Sequence, residues 1–156
     1  MHPCADAEAL VFAQSEPAGI RTAALVRDAA ASAEGAIIEW RRLFHQHPEL
    51  SGRESHTQEM LCGELDRLGV EYRRLDNNGI IATIRGEAPG AYDAAGVPVR
   101  RVALRADIDA LPVTEDTGLP FASENEGVMH ACGHDAHMAM MLGAICILLE
   151  TKSQLK

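Results

Sequence analysis

Residues 128–137 read VMHACGHDAH and gather three histidines and one cysteine, His130, Cys132, His134 and His137, into ten positions. Thiolate and imidazole donors together suit zinc and neighbouring transition ions. If the stretch is extended, His130, Cys132 and His134 alternate and project to one side. Gly133 between them lets the backbone approach a bound group closely. Asp135 suits a helix N-cap, which puts the donors at a loop-to-helix junction and His137 on the first helical turn. Each residue also has a plainer reading. His130 reads equally as a core histidine bonded to backbone, and His137 as a helix-surface or packing residue. Cys132 reads as a buried thiol, or as a nucleophile with His134 as its base.

A second stretch, RADIDALP at 105–112, carries two carboxylates. As a strand it turns Val102, Leu104 and Ala106 to one face and Arg105, Asp107 and Asp109 to the other. The C-terminal ends of strands are where open α/β sheets bind ligands. Close carboxylates repel unless a cation or a shared proton lies between them. The pair therefore reads as a cation site, as a carboxylate orienting a metal-bound histidine, or as two aspartates capping a turn.

The elements that must hold these stretches follow from periodicity. From Ile20 to His47 the chain is alanine-rich, with Leu25, Val26, Ile37, Ile38, Trp40, Leu43 and Phe44 at helical spacing. Gly35 is a candidate interruption, and Pro48 ends the pattern. Ser51 and Glu54 form an S-x-x-E capping box before a second helix with Met60, Leu61, Leu65 and Leu68 on its apolar face, and Gly69 is its terminator. Residues 70–75 and 80–87 read as strands about a turn at 77–79, residues 88–98 as a loop, and 99–112 as the strongest strand. From Asp135 to Glu150 the chain reads as a buried helix. The order predicts an α/β fold: a mixed central sheet flanked by helices. Residues 1–17 lack periodicity and are expected to be loosely ordered, leaving 18–156 as the folded part.

Composition narrows the classes of function. Hydrophobic residues are 47% and charged residues 24%, a globular balance. Fourteen Lys and Arg face 23 Asp and Glu, a net charge of −9, which argues against nucleic-acid or anionic-membrane partners. Cys4, Cys62, Cys132 and Cys146 form no disulfide framework, and Cys62 and Cys146 sit in apolar helical patterns as buried thiols. No signal peptide is recognisable. The longest apolar run, around Met138 to Leu149, is shorter than the ~18 to 20 residues of a bilayer span, so the cytoplasm is the expected compartment.

The stretches HQHPELSGRES, LRADIDALP and MHACGHDAHMAMMLGA resemble the amidohydrolase branch of the aminoacylase/carboxypeptidase clan of dinuclear metallohydrolases, over about Ile37 to Leu149. That branch includes hippurate hydrolases, indole-acetyl-amino-acid hydrolases and N-acetyl-diaminopimelate deacetylases. The resemblance implies hydrolysis of the amide of a small N-acyl amino acid, at two divalent ions per complete site, with manganese favoured over zinc. It implies that Cys132 and His134 are metal ligands and that Asp109 orients the site. Asp107 stands where the wider clan has a histidine ligand, so it is not expected to be a ligand itself. Asp107, His130, Asp135 and His137 are expected to stand behind the ligands.

The chain departs from that pattern in what it lacks. The family's adjacent Glu-Glu pair, one glutamate being the general base, occurs nowhere in the sequence. Two further histidine ligands and the inserted dimerisation domain are also missing. The expectation is an N-terminal portion of the catalytic domain, inactive alone. Its alternative is a non-catalytic remnant or subunit that binds metal weakly. A homo-oligomer or a separate C-terminal half is the expected partner. A redox or nucleophilic cysteine protein built on Cys132 is a third class and would require a depressed thiol pKa without metal.

Overall fold

The computed structural model describes residues 18–156, so the expectation for residues 1–17, and Cys4 with it, lies outside the described residues. Helix α1 spans Ala18–Gln46, and Gly35 does not interrupt it. It stops two residues before Pro48, as a proline ahead requires. Its apolar stripe buries Ala29, Ala33, Trp40 and Phe44.

Helix α2 spans Ser55–Arg67. The expected capping box does not form, because Gly52 at φ 77° turns the chain and the helix starts after Glu54. A residue further back takes over the capping. The Glu49 carboxylate accepts the Thr57 amide at 2.6 Å and the Thr57 hydroxyl at 2.8 Å, which satisfies a free N–H of the first turn. The Glu54 carboxylate accepts instead from Asn78 at 3.1 Å. The far end is as expected: Gly69 is at φ 68°, and the bonds Gly69 N to Asp66 O and Val70 N to Leu65 O make a Schellman motif.

Strands β1, Glu71–Arg74, and β2, Ile80–Thr83, pair antiparallel with Glu71 opposite Thr83 and Arg74 opposite Ile80. The turn between them is closed by Leu75 N to Gly79 O at 2.8 Å. Helix α3 spans His134–Thr151 and runs into a short 3-10 turn at Lys152–Gln154. The core lies where α1, α2, α3 and the hairpin meet, with Trp40, Phe44, Leu65, Val70, Met138, Ala139, Leu142 and Ile145 as its buried members. The helices pack with a small sheet, as the α/β reading expects, but among the described residues that sheet is an antiparallel pair rather than a mixed central sheet, because residues 99–109 find no strand to pair with.

The strand expected over 99–112 is corrected. Residues 99–109 are neither helix nor strand, and Val102 and Leu104 are 88% and 62% exposed. The alternation is present, but a strand exists only where a neighbour supplies the ladder. Pairing begins at the end of the segment, in isolated bridges of Leu50 with Ala110 and of Leu111 with Met129. Cys62 is buried and Cys146 half-buried, as expected of packing thiols, and burial pushes the Cys146 thiol up from its ordinary pKa.

Candidate metal site

The loop-to-helix junction forms as the sequence predicts, one residue earlier. Gly133 is the N-cap of α3 at φ 105°, a left-handed conformation that a side-chain-bearing residue rarely adopts, and His134 opens the helix. Asp135 is therefore not the N-cap but a first-turn residue, and it is almost wholly buried.

His134 and Asp109 come together across 25 residues of sequence. His134 Nδ1 lies 2.9 Å from the Asp109 carbonyl oxygen and 3.0 Å from its carboxylate Oδ1. Two acceptors at one nitrogen place the hydrogen there. The other ring nitrogen, Nε2, keeps its lone pair for an electrophile. This is the geometry in which a carboxylate orients a metal-binding imidazole. The His137 ring stands 5.6 Å from that of His134, tilted by 31°.

Cys132 is exposed, which corrects the buried-thiol reading. Among the described residues it has no hydrogen bond to His134, so the nucleophile–base pairing has no geometric support. Asp107 does not join Asp109. It is held by Arg105, whose Nε and Nη2 lie 3.0 and 2.7 Å from its Oδ1, and that guanidinium draws its pKa below the ordinary carboxylate value.

His130 is only 4% exposed, yet neither ring nitrogen has a hydrogen-bond partner. The reading of a core histidine bonded to backbone is thus correct in burial and wrong in bonding. Burial drives its pKa down to about 4, more than nearby Asp135 can offset, so the ring is neutral near pH 7. A buried, unpaired imidazole is rare in a self-contained core. The donor types suit a transition ion, but among the described residues no group of three or more His, Cys, Asp or Glu side chains converges to hold one. A catalytic zinc takes three protein ligands and a water, a number that no such group among the described residues supplies.

Behind the junction lies a buried ionic cluster that local sequence reading did not find. His45 Nδ1 is 2.7 Å from Asp135 Oδ2, and its Nε2 is 3.2 Å from Glu115 Oε1. Arg41 Nε adds a 3.0 Å contact to the same Asp135 oxygen. The side chains of His45, Asp135 and Glu115 are 2%, 1% and 4% exposed. Burial alone would raise the Glu115 pKa, but hydrogen bonds from the Thr117 hydroxyl, the Ser123 amide and His45 outweigh it and hold the carboxyl below its usual range. His45 opens the HQHPELSGRES stretch, so a signal existed. Its partners stand 70 and 90 residues away, where no spacing rule reaches.

The chain is similar to known proteins of one family. Residues 103–156 match the model of Peptidase family M20/M25/M40. The chain is 45% identical over 121 residues to thermostable carboxypeptidase 1 of Saccharolobus solfataricus, covering 76% of this chain and 28% of that protein. It is 44% identical over 124 residues to the N-acetyl-L-cysteine deacetylase of Bacillus subtilis, covering 79% and 28% respectively. Its fold superposes with a TM-score of 0.70 on a dinuclear metal-binding M20 peptidase from Bacillus subtilis, at 38% identity, over 81% of this chain and 33% of that one. The chain therefore spans less than a third of the length of these two curated relatives. No helix among the described residues is long and apolar enough to cross a membrane.

Proposed function

This chain belongs to Peptidase family M20/M25/M40 through residues 103–156, and from that premise we propose that it carries part of a dinuclear metal site for hydrolysing the amide bond of small N-acyl amino acids. The observation that supports this most directly is the Asp109–His134 contact, which fixes Nδ1 as donor and leaves Nε2 to bind. Cys132 Sγ and His134 Nε2 are the proposed ligands. Asp109 is the orienting carboxylate, and Asp107, bonded to Arg105, stands behind the ligands with His130, Asp135 and His137. The bound ions, two per complete site with manganese favoured over zinc, would supply Lewis acidity and an activated water. Hippurate-like acyl amino acids are the proposed substrates and the cytoplasm the proposed compartment.

In this reading residues 18–156 are a partial catalytic domain and are inactive alone. The sequence offers no Glu-Glu base, and the described residues offer no third convergent donor. The exposed Val99, Val102 and Leu104 favour a partner that adds strands beside 99–109, either a second half of the enzyme or another copy of the chain.

The test is metal content by mass spectrometry on the purified chain and on Cys132→Ala and His134→Ala, with hippurate hydrolysis assayed on the same samples. The expected result is substoichiometric metal, reduced further in both variants, without turnover. Near-stoichiometric metal with turnover would show a site that completes itself. Metal content unchanged in both variants would remove these residues as ligands.

A further inference from the structure

We propose that His45 is a positioning residue: its imidazole fixes the loop that presents Asp109 against the helix that presents His134. The proposal rests on the metal-site reading above and deepens it. His45 sits near the end of α1, and its two ring nitrogens reach two different bodies. Nδ1 meets Asp135 on the first turn of α3, one residue after His134. Nε2 meets Glu115 in the 111–129 loop, six residues after Asp109.

Glu115 in turn gathers that loop. Its Oε2 accepts the Ser123 amide at 2.7 Å, and its Oε1 accepts the Thr117 hydroxyl. The base of the loop is tied by Ala110 N to Glu49 O at 2.7 Å and by the two bonds between Leu111 and Met129, each 3.0 Å. Both sides of the Asp109–His134 contact are thus referred to one buried ring, with Phe121 edge-on to it at 5.8 Å. Arg41 approaches the Asp135 end from the α1 surface.

The residue type matters because the two ring nitrogens of an imidazole reach the two carboxylates in different directions, one nitrogen at Asp135 and the other at Glu115. A glutamine at this position places its NH2 near the position of Nε2 but has no nitrogen where Nδ1 meets Asp135. His45→Gln should therefore release one of the two bodies and loosen the Asp109–His134 register, beyond any general loss of packing.

The experiment is nitrogen-15 NMR of the histidine rings of the full chain, compared among wild type, His45→Gln, Glu115→Gln and the core control Leu142→Ala. Wild type should show His134 as a single Nδ1–H tautomer. His45→Gln should shift its two nitrogens toward averaged positions, and Glu115→Gln, which weakens only the loop arm, should move them in the same direction. Leu142→Ala should lose comparable thermal stability yet keep the wild-type His134 signature. If His134 keeps its single tautomer in both His45→Gln and Glu115→Gln, His45 is only a packing residue and the proposal is overturned. A wild-type His134 without the Nδ1–H tautomer would overturn it as well. The readout is taken without metal, so a failure of the metal-site reading leaves it unaffected and the two are separable.

Discussion

Among the side chains that matter here, Glu115 shows how burial and hydrogen bonding compete. Removing a carboxylate from water raises its pKa, and three donors reverse that and hold it low. The sign of the stability effect follows. Because the folded pKa lies below the unfolded value, the unfolded chain binds the proton more readily. The stabilisation is complete above the unfolded value of about 4.5 and is lost as pH falls through the folded one. Glu115→Gln should cost about 1–3 kcal/mol at pH 7, the usual range for weakening a charged, buried hydrogen-bond acceptor. The variant should also show a shallower loss of stability below pH ~4.5. Urea denaturation from pH 7 to pH 3 checks both, and parallel acid limbs in the two proteins would contradict the assignment.

At the scale of elements, local signals succeed where the stabilising contacts are local. The Schellman bonds at Gly69 involve neighbours within five residues, and the β1–β2 hairpin closes through a short turn. They fail where a distant residue takes the role, as Glu49 does for α2, or where an element needs a neighbour, as residues 99–109 do. The last turn of the chain is a further long-range case. Glu87 N bonds Lys152 O at 2.8 Å, Ala88 N bonds Leu155 O at 3.0 Å, and Lys152 pairs with Glu87 at 2.7 Å. Gly86 permits this approach, since a Cβ there would overlap the Leu155 carbonyl. Gly86→Ala should therefore cost about 1–3 kcal/mol through overpacking against backbone. It should also speed hydrogen exchange at the Glu87 and Ala88 amides while leaving those of β1 unchanged. Equal protection in variant and wild type would refute the close packing.

For the whole molecule, the contact between α1 and α3 carries both the core and the site. Met138, Leu142 and Phe44 are each at most 2% exposed, and the helix that buries Leu142 begins with His134. Leu142→Ala should lower unfolding free energy by about 2–5 kcal/mol, as cavity-forming substitutions in well-packed cores do, measured by chemical denaturation. Leu104→Lys, on the exposed 99–109 segment, should cost under about 0.5 kcal/mol. Because it places a charge on an unpaired edge, it should reduce self-association in sedimentation. A monomer in both proteins would leave a second copy out as the occupant of that edge and favour a different polypeptide.

The sequence by itself determined the three helices, the hairpin and its turn, the loop-to-helix placement of Cys132 and His134, and the family. Each of these depends on periodicity, on turn residues or on a contiguous motif. Only the tertiary structure decided that Asp109 reaches His134 while Asp107 turns to Arg105, that His130 is buried without a partner, and that His45 joins Asp135 to Glu115. These are relations between residues tens of positions apart, set by how α1, α3 and the 111–129 loop pack. The failed strand has the same cause. Alternation in 99–109 specifies two faces, but a strand also needs hydrogen-bonding neighbours on its edges, and those come from the fold rather than from the segment.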